Sequence, residues 1–290
     1  MLIKLLTDST ACLTKKFCDE ENIGVIESLL CFSGEYKRDL SDIQRLRFLK
    51  QIDKTKYGVF SSQADSIHVS KIFEDIISEG YEEIFYIGVS TTITNQYDLV
   101  EFVSDLYRDK IKTILFQSGT MGASQGGMVL IADRMLKEGK SVNQIIEILK
   151  KKRKEFKTYI ISNSFKTIFK TGKIRSRKLI SAFAKFLGRF RVNKPIVEVN
   201  EEEGLIAVGK AKGKKLALRK AIKMMYKELP LENEYDLLLV DVGSKKYFPR
   251  IKRKITKKFK IKAVHYFEAL PVVIWTIGKN SIKFSLIPHI

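Results

Sequence analysis

The side chains best placed for chemistry are hydroxyls that follow short apolar runs: Thr7-Asp8-Ser9-Thr10, Ser61-Ser62-Gln63, Ser90-Thr91-Thr92-Ile93-Thr94-Asn95 and Gln117-Ser118-Gly119-Thr120. Hydroxyls that donate and accept, together with exposed N–H groups at helix starts, make a site suited to a carboxylate or a phosphate. Ser and Thr are also ordinary helix caps, and capping alone explains any one of these loops. Four loops of the same chemistry in corresponding positions call for more than capping.

Other chemistries find less support. A hydrolase needs an activated nucleophile, yet no G-x-S-x-G is present and the only histidines are His68, His265 and His289. His265 lies inside an apolar run and reads as a satisfied core histidine. Cys12, Cys18 and Cys31 are odd in number and lack CxxC spacing, so they read as buried thiols of a reduced cytoplasm and not as zinc ligands or a disulfide framework. The segment Gly209-Lys210-Ala211-Lys212-Gly213-Lys214-Lys215 resembles a phosphate loop, but Lys214 stands where a Walker A motif needs its second glycine. It reads as a solvated helix start.

Elements must position the hydroxyl loops. In the first half, Ile3–Leu6, Gly24–Phe32, Tyr57–Phe60, Ile84–Val89 and Thr113–Phe116 are candidate strands alternating with helical patterns, which argues for a parallel sheet. Crossover helices should bury Ile67, Phe73, Ile76 and Ile77 after the third strand, and Leu99, Phe102, Val103 and Leu106 after the fourth. A helix is expected over Met121–Lys137, and another from a Ser141 cap to about Phe156. In an open parallel sheet, ligands bind beyond the carboxyl ends of the strands, where the hydroxyls are.

The second half reads differently. Tyr159–Ser162 is a strand, two helical patterns lie between Ser164 and Phe190, and Pro195–Val199 with Leu205–Gly209 form a hairpin. A basic helix over Lys214–Lys227, a strand Asp236–Val240, a lysine-rich helix near Lys245–Lys258, and strands Lys260–Tyr266, Val272–Thr276 and Ser281–Leu286 complete an α+β lobe with a mixed sheet. The apolar positions Ile180, Phe183, Phe186, Leu187 and Phe190 fit one helix face, either a core stripe or the lining of a binding site.

At 290 residues two lobes are the natural expectation, 1–153 and 154–290, with a ligand cleft between them. Their charges differ sharply. Residues 1–153 carry 21 Lys and Arg against 22 Asp and Glu, and the remainder 32 against 11, so the formal net charge of +20 belongs to the second half. That asymmetry suits an acidic partner, an anionic membrane surface or, as the alternative reading, a nucleic acid. It equally suits solvated helix faces. The start MLIKLLTDST lacks the basic and apolar regions of a signal peptide, and a soluble, cytoplasmic protein is expected.

The order of the loops resembles the DegV family. The stretches that carry the likeness are LLTDSTACL, YKRDL at Tyr36–Leu40, FSSQA at Phe60–Ala64, GVSTTITNQYDLV at Gly88–Val100, FQSGTMGASQGG at Phe116–Gly127, KTGKIRSRKL, NKPIVEV and AVGKAKGKKLAL. The resemblance implies a non-enzymatic fatty acid binding protein without a cofactor, which holds one long-chain fatty acid between its lobes and presents it to a separate ATP-dependent fatty acid kinase. It implies Ser61 and Thr94 as carboxylate donors, with Ser62 and Asn95 beside them, and Asp8, Ser9 and Ser118 as the crevice floor. This chain departs from the pattern at Ala64, Thr94-Asn95 and Gln117-Ser118. It also replaces a C-terminal histidine-threonine-glycine-proline-glycine loop with Thr276-Ile277-Gly278-Lys279-Asn280. Thr276 there keeps a hydroxyl and loses the imidazole.

Overall fold

The computed structural model of the chain describes residues 2–32, 34–52, 59–163 and 193–290. It divides into two compact units, Met1–Lys151 with Leu270–Val272, and Lys152–Ala269 with Val273–Ile290. The expected helices between Ser164 and Phe190, the stripe from Ile180 to Phe190 and the start of the expected strand Tyr57–Phe60 lie outside the described residues.

In the first unit, strands β1 (Ile3–Asp8), β2 (Gly24–Ile26), β6 (Glu83–Gly88) and β7 (Lys112–Gln117) form a wholly parallel sheet in the order β2-β1-β6-β7. Every residue of the central strand β6 is buried, as a parallel sheet covered on both faces requires. A second sheet departs from expectation. The run Gly24–Phe32 is not one strand but two: β2 joins the parallel sheet, whereas β3 (Leu29–Phe32) pairs antiparallel with β4 (Glu35–Arg38) and with β5 (Val59–Ser62). Glu27 and Ser28 cause the break, because their polar groups engage other loops: Glu27 accepts from the Leu40 and Ser41 amides, and the Ser28 amide donates to Ser9 Oγ. The third expected strand therefore leaves the parallel sheet.

Helices α1 (Lys15–Glu20), α2 (Arg45–Gln51), α3 (Ser66–Ser78), α4 (Gln96–Leu106), α5 (Ala123–Lys137) and α6 (Val142–Lys152) complete this unit. Asp65 caps α3, accepting from the His68 amide at 2.7 Å. Ser141 and Gln144 form a reciprocal capping box at α6, and Ile145 and Leu149 face inward below it. Both crossover helices bury part of the expected stripe, Phe73 and Ile76 on α3 and Val103 on α4, with Ile77 and Leu99 packed against the core, and leave the rest outside. On α3 the buried positions are Val69, Phe73 and Ile76, while Ile67 is 82% exposed. On α4 they are Gln96, Val100, Val103 and Ser104, and Phe102 and Leu106 are more than half exposed. Each inward set follows i, i+4, i+7; apolar residues next to it in sequence are rotated off the sheet. Leu6, Ile84 and Tyr86 meet these two helices, whereas α5 packs against β1 and β6.

The second unit is built on a six-stranded mixed sheet, ordered β10 (Gly204–Lys212), β9 (Asn193–Asn200), β8 (Lys157–Ile161), β13 (Ile282–Pro288), β11 (Glu234–Asp241), β12 (Lys260–Glu268). Only the β11–β12 pair is parallel. Helices α7 (Gly213–Glu228) and α8 (Phe248–Ile255) cover one face, with Leu218, Ile222, Met225, Phe248, Ile251 and Ile255 in the shared core. Arg219, Lys220, Lys223, Lys252 and Arg253 are exposed on them, so these basic residues lie on the outer side of the helical layer. The expected strand Val272–Thr276 is instead helix α9 (Pro271–Ile277). Its residues are buried almost throughout, so no alternation distinguishes helix from strand, and Pro271 at the first position favours the helix. His265 is likewise not a core residue: its ring is 41% exposed, 3.6 Å from Asp236.

Phe73 is fully buried and Phe102 is 58% exposed. Phe73→Ala is expected to cost about 3–5 kcal/mol, whereas Phe102→Ala should stay within about 0.5 kcal/mol of the parent. Urea unfolding midpoints of the two variants check which faces of α3 and α4 carry the core.

Candidate functional site

The carboxyl ends of β1 and β6 meet around Asp8, whose side chain is wholly buried. Its Oδ2 accepts from the Val89 amide at 2.9 Å, the Tyr86 hydroxyl at 3.0 Å and Gln125 Nε2 at 3.0 Å; its Oδ1 accepts from the Thr10 amide at 3.0 Å. These bonds tie the end of β1, the second half of β6, the loop after it and the first turns of α5 to one carboxyl. Small residues around Gln125 let α5 approach: Gly122, Ala123, Ser124, Gly126 and Gly127 surround it in sequence. Tyr86 folds back over Gly88, where an added Cβ would lie 2.4 Å from its ring.

Gln125 joins Asp8 to Thr10: its Nε2 donates to Asp8 Oδ2, and its Oε1 lies 2.7 Å from the Thr10 hydroxyl, which also contacts Asp8 Oδ1. Burial raises the Asp8 pKa above the ordinary carboxylate value, despite the donors from Thr10, Val89, Tyr86 and Gln125. Asp8 organises the floor.

The hydroxyl loops divide by what they bond. Ser90 Oγ pairs with Thr92 Oγ1 at 2.7 Å, Thr91 accepts from Gln117 Nε2, and the buried Ser118 hydroxyl donates to the Thr120 carbonyl within its own loop. Those groups shape loops. Ser61 and Thr94 are different: both are half-buried, and neither hydroxyl has a hydrogen-bond partner among the described residues. Ser61 lies in β5, opposite Leu30 of β3, and not in the loop beyond the strand. Thr94 ends the loop before α4, with its amide donating to the Ser90 carbonyl at 3.3 Å.

Strand alternation separates the two neighbouring serines. Ser61 shares the inner face of the three-stranded sheet with the buried Val59 and Leu30, whereas Ser62 is on the outer face with Tyr36 and Phe60, both about two-thirds exposed. Asn95 caps α4 through its backbone, and its side chain is exposed. Thr276 is buried in α9, one residue from its end, and belongs to the second unit. Lys214, from the segment resembling a phosphate loop, is half-buried and donates to the Asn280 carbonyl; burial, with Lys194 and Lys246 nearby, lowers its pKa to about 8.

Two further residues, not singled out in the sequence, belong to this region. Gln96 is buried at the start of α4; its Oε1 accepts from the Ala64 amide at 2.8 Å, which ties the turn after β5 to the Thr94 loop. Its Nε2 is a buried donor without a partner among the described residues. Asp39, just after β4, is wholly buried. Its amide donates to the Ser28 carbonyl at 3.0 Å, Ser9 bonds its side chain, and its Oδ2 accepts from the Val272 amide at 3.4 Å. Its position in the quoted YKRDL was the available signal; burial could not be read there. Among the described residues, no group of three or more His, Cys, Asp or Glu side chains could hold a metal ion. No helix among them is long and apolar enough to cross a membrane.

Burial pushes the Asp39 carboxyl up to about 7, with Glu27 and Asp8 adding repulsion and Ser9 and Val272 opposing it. The unfolded chain releases that proton near the ordinary aspartate value of 3.8, so folding takes up a proton between these limits. Stability contributed by Asp39 is therefore full in acid and declines as pH rises towards 7. The thermal midpoint of the ligand-free protein should fall across this window, and Asp39→Asn should flatten the slope; calorimetry from pH 5 to about 7.5 measures both.

A family model described as "Uncharacterised protein, DegV family" matches residues 2–289. A DegV domain-containing protein of Clostridium acetobutylicum is 25% identical over 273 residues, covering 93% of each chain. Among solved structures, a DegV lipid binding protein from Thermotoga maritima superposes with a TM-score of 0.88 at 17% identity over 99% of both chains. A stearic acid-binding protein from Eubacterium ventriosum gives 0.85 at 17% identity, over 99% of this chain and 98% of that one. The low identities make these two a likeness of fold.

Proposed function

The chain belongs to the DegV family, and we propose that it is a non-enzymatic carrier of a long-chain fatty acid. The observation that supports this reading best is the pair of uncommitted, half-buried hydroxyls of Ser61 and Thr94, beside the engaged hydroxyls of Ser90, Thr91, Thr92 and Ser118. A carboxylate is the ligand such donors suit. Gln96 Nε2 supplies a third donor, and the Asp8 network holds the loops that present them. Relatives of the same fold include proteins described as binding lipid and stearic acid.

Magnitudes assign the roles. Burying a methylene contributes roughly 0.8 kcal/mol, so an acyl chain of some 15 methylenes supplies on the order of 12 kcal/mol before ordering costs. A hydrogen bond to a charged group adds about 1.5–3 kcal/mol. The tail sets affinity and the hydroxyls set which end is held. In this reading the protein works in the cytoplasm and hands its bound acid to a separate ATP-dependent fatty acid kinase. The basic outer layer of α7 and α8 meets an acidic partner or an anionic membrane surface.

Native mass spectrometry of the protein purified from cells is expected to show one fatty acid per chain. Ser61→Ala and Thr94→Val should each weaken stearate binding about tenfold or more without abolishing it, since about 1.4 kcal/mol is tenfold. Protein that stays ligand-free after incubation with stearate would overturn the proposal.

A further inference from the structure

Asp39 is a buried carboxyl with only part of its hydrogen-bonding capacity used. The pairing of β3 with β4 continues past Leu29 and Arg38, since the Asp39 amide donates to the Ser28 carbonyl. Side chains two residues apart share a face, so Asp39 lies on the same inner face as Leu30 and Ser61, opposite to Arg38 and Ser62. One oxygen, Oδ2, accepts from the Val272 amide over a long 3.4 Å. The other, Oδ1, is buried without any partner among the described residues.

An ionised carboxylate in that position would leave a charged oxygen dry and unpaired, which is costly. Its charged surroundings make this worse. Glu27, from the link between β2 and β3, and Asp8, from the end of β1, both oppose ionisation, and only the Ser9 side chain and the Val272 amide favour it. Arg38 is held on the other face, 4.0 Å from Asp65. His68 has its charged form disfavoured chiefly by burial, then by Arg38, with Asp65, Glu27 and Asp42 opposing. A proton on Oδ1 has the complementary need: a buried O–H with no acceptor among the described residues.

We infer that Asp39 binds the head group as a carboxylic acid, donating its proton to the ligand carboxylate so that capture of the fatty acid is coupled to a proton. This rests on the fatty acid reading above. Two carboxyl groups at close range cannot both ionise and instead share one proton, which stabilises the pair while that proton is present. Capping the Val272 amide engages one oxygen and leaves the second unexplained; a ligand carboxylate explains both. The proton comes from solvent and returns to it when the lipid leaves, so alkaline conditions favour release.

The test measures stearate binding by isothermal titration calorimetry between about pH 6 and 8.5, with stearyl alcohol as the uncharged control. The parent protein should hold an unchanged Kd in acid and lose up to about tenfold in affinity per pH unit above neutrality. It should take up close to one proton per stearate near pH 8, read from the difference between two buffers of unlike ionisation enthalpy. Stearyl alcohol should show no such slope. Asp39→Asn, which retains an N–H donor and cannot titrate, should bind stearate with a flat pH profile. A parent Kd independent of pH with no proton uptake overturns the inference while leaving the carrier reading intact, as does an unchanged slope in Asp39→Asn. Proton uptake by the parent protein needs no variant, so poor folding of Asp39→Asn leaves the question answerable. Failure to bind stearate at any pH overturns the carrier reading and this inference together.

Discussion

The burial of Asp8 at the end of β1 is the constraint on which the site depends. A carboxyl sealed in the interior must either find donors for both oxygens or give up its charge. Here it finds the donors: Val89, Tyr86, Gln125 and Thr10 supply them, while burial raises its pKa. Because those groups come from β1, β6, the loop after β6 and α5, no one of these elements can shift without leaving a buried polar atom unpaired. The requirement is met by glycine at position 88, which leaves room for the Tyr86 ring, and by small residues at the start of α5.

From that floor outward, the polar groups fall into two kinds. Ser90, Thr92, Ser118 and Thr120 bond within or between their own loops, which fixes backbone that would otherwise be free to move. Ser61, Thr94, the Gln96 amide nitrogen and one oxygen of Asp39 have no such partner among the described residues. Of these, the Gln96 nitrogen and the Asp39 oxygen are fully buried, and native interiors satisfy nearly all such atoms. In the fatty acid reading, these four groups are the ones proposed to meet the head group.

The order of the hydroxyl loops, the parallel character of the first sheet, the hairpin of β9 and β10 and the Ser141 cap could all be read from residue types at short spacing. Each depends on interactions within a few residues or on a local period of two or near four. The charge asymmetry was equally plain. Which face of α3 and α4 turns inward was not, because neighbouring apolar residues such as Ile67 and Val69, or Phe102 and Val103, fit a helical stripe almost equally well. Only the sheet beneath selects between them.

The sequence alone determined that hydroxyls gather after the strands and that their order matches one family over nearly the whole chain, because composition and spacing are properties of the chain itself. Tertiary structure decided which of those hydroxyls remain available. It divided Gly24–Phe32 between two sheets, set Ser61 inward and Ser62 outward, and turned Val272–Thr276 into a helix. It also brought forward Asp39 and Gln96, whose significance lies in being buried with an atom unpaired. The physical reason is the same throughout: hydrogen-bond satisfaction and burial are sums over contacts between residues distant in sequence, and no local pattern contains them.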